Sequence, residues 1–449
     1  MREIWGTSLR FMMVVGLVCA SSVAHADFVR MQMDDEYLGV TVRLTDFAEL
    51  QPSLLDPDLP PRPQVGPFYE VPLPRSPGSR LDSLFMPTWD TYAASSSGRR
   101  IGDIDLTSLL ADAPAMFGHF YGGGMRLSGM FDYAPVSFGF FAFDDIPLAG
   151  RTGRTHVGEN NKALTQDRVY VRYNHYHGVS NVSALTSTGG EMSGEIRGFH
   201  LDTYTLAAEK TFCGGIWSLE ARLPLAGQMH FATDGLSVTG GNLGNLALIL
   251  KRMIYLTDRS SAVAGIGVDV PTGSAARGNA VVADYSIHND AVHLLPYLGF
   301  LHASENRFFM NGFAQLDLPL NRQRFSAREP FFGDIGKFTE QTLLHLDLSI
   351  GRWLQRDPEA AFLTGLAFLT ELHYTTTLND GDSLRLWAGN AIFDLDSPAN
   401  RTDLLNLTIG LHTEWRNNTL LRVGSVFPLR TGTDRTFDSE LQVQLERRF

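Results

Sequence analysis

The sequence feature that most constrains the fold is a series of segments in which apolar and polar residues alternate. From residue 168 onward, twelve such segments of about ten residues or more follow one another. Alternation indicates β-strands with one apolar and one polar face, because successive side chains point to opposite sides of a strand. The segments are Arg168–His177, Gly198–Phe212, Gly215–Leu225, Asn245–Leu256, Ala262–Val270, Val292–His302, Arg307–Leu318, Leu343–Leu354, Ala361–Thr376, Asp403–Trp415, Thr419–Leu429 and Thr436–Phe449.

The connections between these segments alternate in length. Those after the second, fourth, sixth, eighth and tenth segments are short. Those after the first, third, fifth, seventh and ninth are long, covering 178–197, 226–244, 271–291, 319–342 and 377–402. Outer-membrane barrels combine tight periplasmic turns, longer outer loops and an even number of strands. The pattern therefore predicts an all-β fold, a transmembrane antiparallel up-and-down β-barrel of about 12 strands. A soluble β-sandwich, the alternative fold, gives no reason for the alternation.

The N-terminus predicts export. Arg2 and Arg10 give a positively charged region before an apolar run, Phe11–Ala20. Ala24-His25-Ala26 then supplies a small-x-small cleavage pattern. Residues 1–26 are therefore expected to be a signal peptide that is cleaved after Ala26. The apolar run is shorter than the roughly 20 residues that a membrane-spanning helix needs. The expected location of the protein is the outer membrane.

Residues 27–115 differ from the strand region. Nine prolines between Pro52 and Pro77 disfavour both helix and strand and indicate an extended, Pro-rich periplasmic extension. A short helix is expected within 104–120, where apolar residues recur near helical spacing. Two roles remain open for this part of the chain: a tether or cap outside the barrel, or a segment that enters the barrel and partly plugs it. The barrel domain is placed at 116–449.

Carboxylates in the middle of the predicted strands distinguish their two faces. A charged side chain facing lipid is costly, so the face that carries the carboxylates is expected to line the lumen. Asn245–Leu256 is apolar on both faces and allows no assignment, which leaves Lys251 as an additional candidate only. The predicted lumen-facing residues are Glu209, Glu220, Arg222, Asp269, Asp317, His345, Asp347, Glu371, His373, His412, Glu414, Arg422, Glu440 and Glu446.

The last segment ends in an aromatic residue on its apolar face. Phe437, Leu441, Val443, Leu445 and Phe449 share this face. The last four of these resemble the signal that the outer-membrane assembly machinery reads, although Arg447 occupies a position that is usually apolar. The expected partners are therefore the lipid bilayer, the assembly machinery and small-molecule solutes. A net charge of -12 without a basic run argues against nucleic acid.

His175, His177 and Ser180 form the one group that could suggest chemistry. No nucleophile elbow or triad spacing accompanies them, and no third metal ligand is identifiable nearby in the sequence. The expectation is therefore that the protein is not an enzyme and needs no cofactor or metal.

Four short motifs carry a resemblance to a known family. They are Gln166-Asp167-Arg168-Val169-Tyr170, Glu220-Ala221-Arg222-Leu223-Pro224, Val270-Pro271-Thr272-Gly273-Ser274 and the terminal Arg447-Arg448-Phe449. Over roughly 165–449 the chain resembles outer-membrane channel proteins of the "MetA-pathway of phenol degradation" type. The resemblance implies a barrel that passes small aromatic or apolar compounds, and it supplies no catalytic residues. The function predicted is passive passage of small solutes, aromatic, apolar or cationic. A closed structural or receptor-type barrel and an outer-membrane enzyme are the alternatives.

Overall fold

The computed structural model describes residues 100–101, 104–105, 108–121, 125–133, 137–146, 154–188, 191–226, 230–233, 236–239, 243–280, 283–328, 333–388, 390–396, 400–416 and 418–449. The predicted signal peptide and the prolines between 52 and 77 lie outside these residues. All described residues belong to one compact unit, Ser83–Phe449. Within them, no helix is long and apolar enough to cross a membrane.

Twelve antiparallel strands form a closed barrel, which confirms the predicted fold class. Each strand pairs with its neighbours in sequence, and the first and last strands pair to close the ring, with Tyr176 opposite Glu440. The strands are β1 (Arg168–Thr188), β2 (Glu191–Phe212), β3 (Trp217–Ala226), β4 (Leu246–Leu256), β5 (Ser260–Val270), β6 (His293–Ala303), β7 (Phe308–Pro319), β8 (Leu343–Arg356), β9 (Leu363–Thr377), β10 (Asp403–Trp415), β11 (Thr419–Pro428) and β12 (Ser439–Arg448).

The two ends of the barrel are built differently. At one end, termed the turn end, short connections join β2 to β3, β4 to β5, β6 to β7, β8 to β9 and β10 to β11. β1 starts and β12 finishes at this end. At the other, termed the loop end, the connections are longer, except between β1, which ends at Thr188, and β2, which begins at Glu191. The alternation of short and long connections read from the sequence thus corresponds to the two ends of one barrel.

Most of the long connections are themselves β-hairpins. Three of them pair side by side into a separate six-stranded sheet, and a fourth pairs with two strands from the N-terminal part of the chain, which in turn join β1 at Leu185 and Thr186. Together these strands are termed the collar. Its strands are Met125–Tyr133, Ser137–Ile146, His230–Thr233, Leu236–Thr239, Ala276–Ala280, Ala283–Ile287, Gln323–Arg328, Gly333–Phe338, Leu384–Ala388 and Ala391–Asp396.

The other elements are short. A five-residue helix, α1, covers Ser108–Asp112, and a three-residue 3-10 helix covers Gly432–Asp434. Arg100–Ile101 and Ile104–Asp105 pair as a two-stranded sheet. The observed helix is thus much shorter than the 104–120 range within which one was expected, because the chain has no regular secondary structure from 114 to 121.

Two expectations from the alternation pattern are wrong. The predicted loop 178–197 is mostly strand, because β1 and β2 continue to Thr188 and from Glu191. Their backbones pair throughout this range, from Val179 opposite Phe199 to Thr188 opposite Glu191. Phe437 does not share the outward face of β12, since it precedes the strand and its buried ring packs against Tyr176 and His119. Irregular backbone before Ser439 breaks the period of two.

The outward face of the barrel is apolar. Large aliphatic and aromatic side chains that are well exposed on this face occur on most of the strands, and Tyr173 and Tyr204 stand next to each other on the outside with ring centroids 5.1 Å apart. An apolar band of this kind is what a lipid-facing barrel surface requires. Its members include Leu206, Leu219, Leu248, Ile254, Ile266, Leu298, Phe300, Leu346, Leu348, Ile350, Phe368, Leu372, Ile409, Leu411 and Val423.

Candidate functional site

The candidate functional site is the lumen of the barrel. The fourteen predicted lumen-facing side chains, and Lys251, are all buried on the inner face of the strands. Leu441, Val443 and Leu445 alternate with them and face outward, and Phe449 is 59% exposed just after β12 ends. The part that these four residues play in assembly remains a prediction.

Residues 110–121 run through the lumen from the turn end to the loop end. Near the turn end, Asp112 pairs with Nη2 of Arg356 at 2.5 Å. At the loop end, the carbonyl of Tyr121 accepts a hydrogen bond from Oγ1 of Thr436 at 3.3 Å. Every residue from Ala113 to Phe120 is buried.

Residues 154–166 return through the lumen in the opposite direction. Arg154 donates to Glu340 at 3.0 Å at the loop end, and Oγ1 of Thr165 donates to the carbonyl of Gly215 at 2.5 Å at the turn end. Segments 110–121 and 154–166 are together termed the insert. Of the two roles left open by the sequence, a segment inside the barrel is the one that describes this structure. Residues 110–115, which were assigned to the periplasmic segment, lie within the lumen.

The two segments of the insert are tied to each other. Nζ of Lys162 donates to the carbonyls of Ala111 and Ala113, at 2.6 and 2.9 Å. The Met116 amide donates to the carbonyl of Asn161 at 2.9 Å. Gly118 has a φ of +63°, and a Cβ there would lie 2.6 Å from the carbonyl carbon of Gly158. A larger residue at 118 would therefore push the segments apart.

Glu371 on β9 anchors the middle of the insert. Its two carboxylate oxygens accept hydrogen bonds from the backbone amides of Phe117 and Gly118, at 2.8 and 3.0 Å. Oγ of Ser349 on β8 donates to the same carboxylate at 2.9 Å. Hydrogen bonds to a charged acceptor are about twice as strong as neutral ones. The carboxylate thus fixes the backbone at 117–118 against the wall.

The ring of Phe117 lies in a slot between two glycines. Gly410 on β10 and Gly424 on β11 are directly opposite each other in the register. A Cβ on Gly424 would lie 2.9 Å from the ring, and one on Gly410 would also clash with it. Because neither residue of this cross-strand pair has a side chain, the Phe117 ring can pack directly against the backbone of β10 and β11.

Four buried cationic side chains of the wall bind the backbone of the insert. Arg168, Arg222, Lys251 and Arg422 come from four different strands, and each donates to a carbonyl oxygen of the insert. Lys251 and Arg422 also donate to the side-chain oxygens of Asn161 and Asn160 on the insert. The acceptors are the carbonyls of Asn160 (Arg168, 2.6 Å), His156 (Arg222, 2.8 Å), Leu164 (Lys251, 3.2 Å) and Ala115 (Arg422, 3.0 Å).

Three glutamates neutralise these cations. Arg168 contacts Glu209 at 2.7 Å, Glu446 at 3.1 Å and Glu220 at 3.4 Å, and so lies at the centre of the network. Arg168 was not among the predicted lumen residues. The signal was present, because Arg168, Tyr170 and Arg172 alternate with valines and a tyrosine in the first segment. The remaining pairs are Arg222 with Glu220 (3.1 Å), Lys251 with Glu209 (2.9 Å) and Arg422 with Glu446 (2.9 Å).

The carboxylates nearer the loop end have partners on the insert, and two of them, Asp317 and Asp347, also contact the wall histidines His293 (2.6 Å) and His373 (2.8 Å). Asp347 lies 2.6 Å from Nε2 of His156, and Asp269 accepts from the Thr155 amide at 2.9 Å. Asp317 lies 3.5 Å from Nη1 of Arg154, and Glu440 contacts His119. Glu340, in the connection between β7 and β8, also contacts Arg154. Burial acts to raise the pKa of Glu340, but Arg154 and His293 hold it below its ordinary value.

On the other side of the lumen the wall is apolar. Near the turn end, the inner faces of β4 to β9 carry aliphatic and aromatic side chains that contact Leu110, Met116, Phe117, Val157 and Leu164 of the insert. The wall residues of this cluster are Ile249, Met253, Val263, Leu295, Tyr297, Leu301, Ala303, Phe309, Phe313, Trp353, Ala367 and Leu369.

A small cavity lies beside the insert on the β1–β3 side. A cavity of about 20 Å³ lies among Phe120, Glu159, Arg172, Tyr176 and Arg222. This volume holds about one water molecule. At this place the insert and the wall leave no room for a larger solute.

His175 and His177 lie on the outward face of β1, away from the lumen. The expectation that no third ligand lies near them is wrong, because His200 on β2 stands beside both. Cross-strand pairing brings it there, which spacing along one segment does not reveal. Ser180 belongs to β1, but its side chain is outside the described part of the structure.

Comparison with known proteins gives low similarity. No protein-family model matches the chain, and no curated protein does. Among solved structures, an outer membrane channel from Pseudomonas putida F1 is 11% identical, with 66% of this chain and 100% of that chain covered and a TM-score of 0.39. The translocator domain of autotransporter NalP from Neisseria meningitidis is 12% identical, with 63% of this chain and 89% of that chain covered and a TM-score of 0.42. The Pseudomonas putida toluene transporter TodX is 10% identical, with 66% of this chain and 95% of that chain covered and a TM-score of 0.34.

Proposed function

We propose that this protein is an outer-membrane channel for small solutes whose lumen is closed by the insert in the conformation described. The closed barrel with an apolar outer band supports the membrane location. The turn end would face the periplasm and the loop end, with its collar, the exterior. The resemblance to the "MetA-pathway of phenol degradation" type remains a prediction, since no family model matches.

The charge on the inner wall is the observation that carries this proposal. Among the described strands, nine buried side chains are carboxylates and four are Lys or Arg. Buried ion pairs contribute little net stability compared with well-packed apolar residues. A permanently filled lumen would therefore be served better by an apolar wall. A charged wall suits a lumen that takes up water when the insert is displaced.

Displacement of the insert would leave the mouth at the loop end negatively charged. Asp269, Asp317, Asp347 and Glu440 would lose their insert partners Thr155, Arg154, His156 and His119, while Asp317 and Asp347 would keep the wall histidines His293 and His373. The wall cations Arg168, Arg222, Lys251 and Arg422 lie deeper and remain paired with Glu209, Glu220 and Glu446. Rings of carboxylates favour cations. The channel is therefore proposed to prefer cationic or neutral polar solutes.

Single-channel recording in planar bilayers tests this proposal. In a tenfold KCl gradient the open channel should show a reversal potential of the sign expected for cation selectivity. Asp347→Asn combined with Asp317→Asn should move that potential toward zero. The matched control is Asp394→Asn, whose carboxylate is paired with Arg385 on the exposed collar. A barrel that stays silent, or one that selects anions, would contradict the proposal.

A disulfide between the insert and the wall tests whether the insert is the gate. The Ala163 amide donates to Oδ1 of Asn311 at 3.3 Å, so these two positions are neighbours across the boundary between the insert and the wall. The pair is introduced in a Cys213→Ser background, and thiol titration confirms that the bond has formed. Conductance should be lost on oxidation and return on reduction, whereas the single Ala163→Cys variant should not respond. Full conductance with the bond formed would favour the alternative that the path avoids the insert.

A further inference from the structure

We propose that His175, His177 and His200 form a zinc site on the outer surface of the barrel at its loop end. Each offers one ring nitrogen, and the three nitrogens lie within 4.8 Å of one another. His175 and His177 come from β1 and His200 from the paired strand β2. The site is independent of whether the lumen conducts.

A bulge in β1 positions these rings. The register between β1 and β2 shifts between Tyr176 and Val179, and Gly178 has a φ of +62°. A Cβ at Gly178 would meet the side chain of Asp438, so this backbone geometry requires glycine. The ring centroids of His177 and His200 are 4.4 Å apart, and those of His175 and His200 are 5.7 Å apart.

Asp202 orients one of the rings from behind. Its Oδ1 lies 2.8 Å from Nδ1 of His175 and also accepts a hydrogen bond from the hydroxyl of Tyr173 at 2.7 Å. Histidines that bind metals usually donate their other ring N–H to a carboxylate, which fixes the tautomer. The contact with Asp202 leaves Nε2 of His175 as the nitrogen that is free to bind a metal.

The chemistry of the cluster favours zinc. Zinc binds imidazole nitrogen at about 2.0–2.1 Å in tetrahedral geometry, and three protein ligands leave a fourth position for water. Ligand nitrogens in such a site are roughly 3.4 Å apart, from that bond length and angle. His177 and His200 are exposed and free to rotate by this amount. The site lies beyond the Tyr173–Tyr204 pair on the outer surface, where ions have access from the solvent.

Zinc titration of the untagged, metal-stripped protein in detergent tests the site. A competing chromogenic chelator should report one zinc per chain. His177→Ala and His200→Ala should each weaken the affinity at least tenfold. Asp202→Asn should weaken it by about tenfold, because the carboxylate that orients the His175 ring is lost. Cobalt substitution should give the absorption bands of a tetrahedral ion.

His302→Ala is the matched control. His302 is exposed at the turn end, where its Nδ1 lies 2.9 Å from Oγ of Ser260, and its loss should leave the affinity unchanged. Faster gel migration before boiling shows that each variant has a closed barrel. Equal binding by wild type and by a variant that lacks all three histidines would overturn the proposal. An equal effect of His302→Ala would do so as well.

Discussion

The two sides of the lumen near the turn end hold the insert by different means. On β4 to β9 the wall is apolar, with Phe309 and Trp353 in the cluster that contains the insert. On the opposite side, Arg168 and Glu446 belong to a network of charged side chains whose cations bind carbonyl oxygens of the insert. Apolar burial gives a net gain on removal from water, whereas the desolvation of buried ions offsets most of their attraction. The apolar side therefore stabilises the insert, and the charged side determines its orientation.

The largest effect is expected on the charged side, from Arg168→Met. Glu209, Glu220 and Glu446 would then lose the cation that they share, and removing one partner of a buried ion pair costs about 3–5 kcal/mol. Urea unfolding in lipid vesicles, followed by tryptophan fluorescence, measures this loss. Arg385→Met, which removes an exposed ion pair with Asp394, should change nothing measurable. Unaltered stability in Arg168→Met would mean that the charged side contributes nothing to the fold.

Phe117→Ala should loosen the insert next most strongly. Truncation of a buried phenylalanine costs about 3 kcal/mol, and the glycine slot cannot collapse to fill the space. The thiol of Ala163→Cys, in the Cys213→Ser background, should then react roughly 100-fold faster with maleimide, since 1.4 kcal/mol corresponds to a factor of ten. Phe362→Ala, at a side chain that is 73% exposed, serves as the control. An unchanged reaction rate would show that the two segments open independently.

A smaller effect is expected from Glu371→Gln. The neutral amide keeps the shape of the side chain but weakens its hydrogen bonds to the amides of Phe117 and Gly118, at a cost of about 1.5 kcal/mol. The same thiol assay should then give about a tenfold faster reaction. Ser349→Ala removes the neighbouring hydrogen bond to this carboxylate without touching the insert, and should have a clearly smaller effect. If both variants react alike, Glu371 is not the anchor.

The smallest effect is expected on the apolar side, from Ile249→Val. Removing one buried methylene costs about 1 kcal/mol. Urea unfolding should detect this loss, while the thiol reaction at position 163 should remain near the wild-type rate. A rate change as large as that of Glu371→Gln would show that the apolar side also controls how the insert opens.

The comparison also explains how much of the fold could be predicted from the sequence. On β8, Leu344, Leu346 and Leu348 alternate with polar residues, because one face meets lipid and the other meets polar groups of the lumen. β4 gave no assignment for a physical reason. Its inner residues Ala247, Ile249 and Met253 belong mostly to the apolar side of the lumen, so both of its faces are apolar.

The insert and the collar could not be predicted from the period of two. Residues 154–166 have no regular conformation, and their places depend on wall groups such as Asp269 and Arg222 that are distant in sequence. The collar strands are mostly four to six residues long, which is too short for a clear alternation. The carboxylates of the inner face could be predicted because a charge facing lipid is costly. Their partners on the insert could be identified only from the three-dimensional structure.

The path of the insert has a consequence for the order of folding. Its two segments both have one end at the turn end, while the residues between them include Met125–Tyr133 and Ser137–Ile146, which are paired in the collar at the opposite end. Because the two segments lie within the lumen and the strands between them are paired beyond it, these strands could not be threaded through a ring that had already closed. Pairing of β12 with β1 should therefore be the last step of assembly, the one that captures a chain already laid across the membrane.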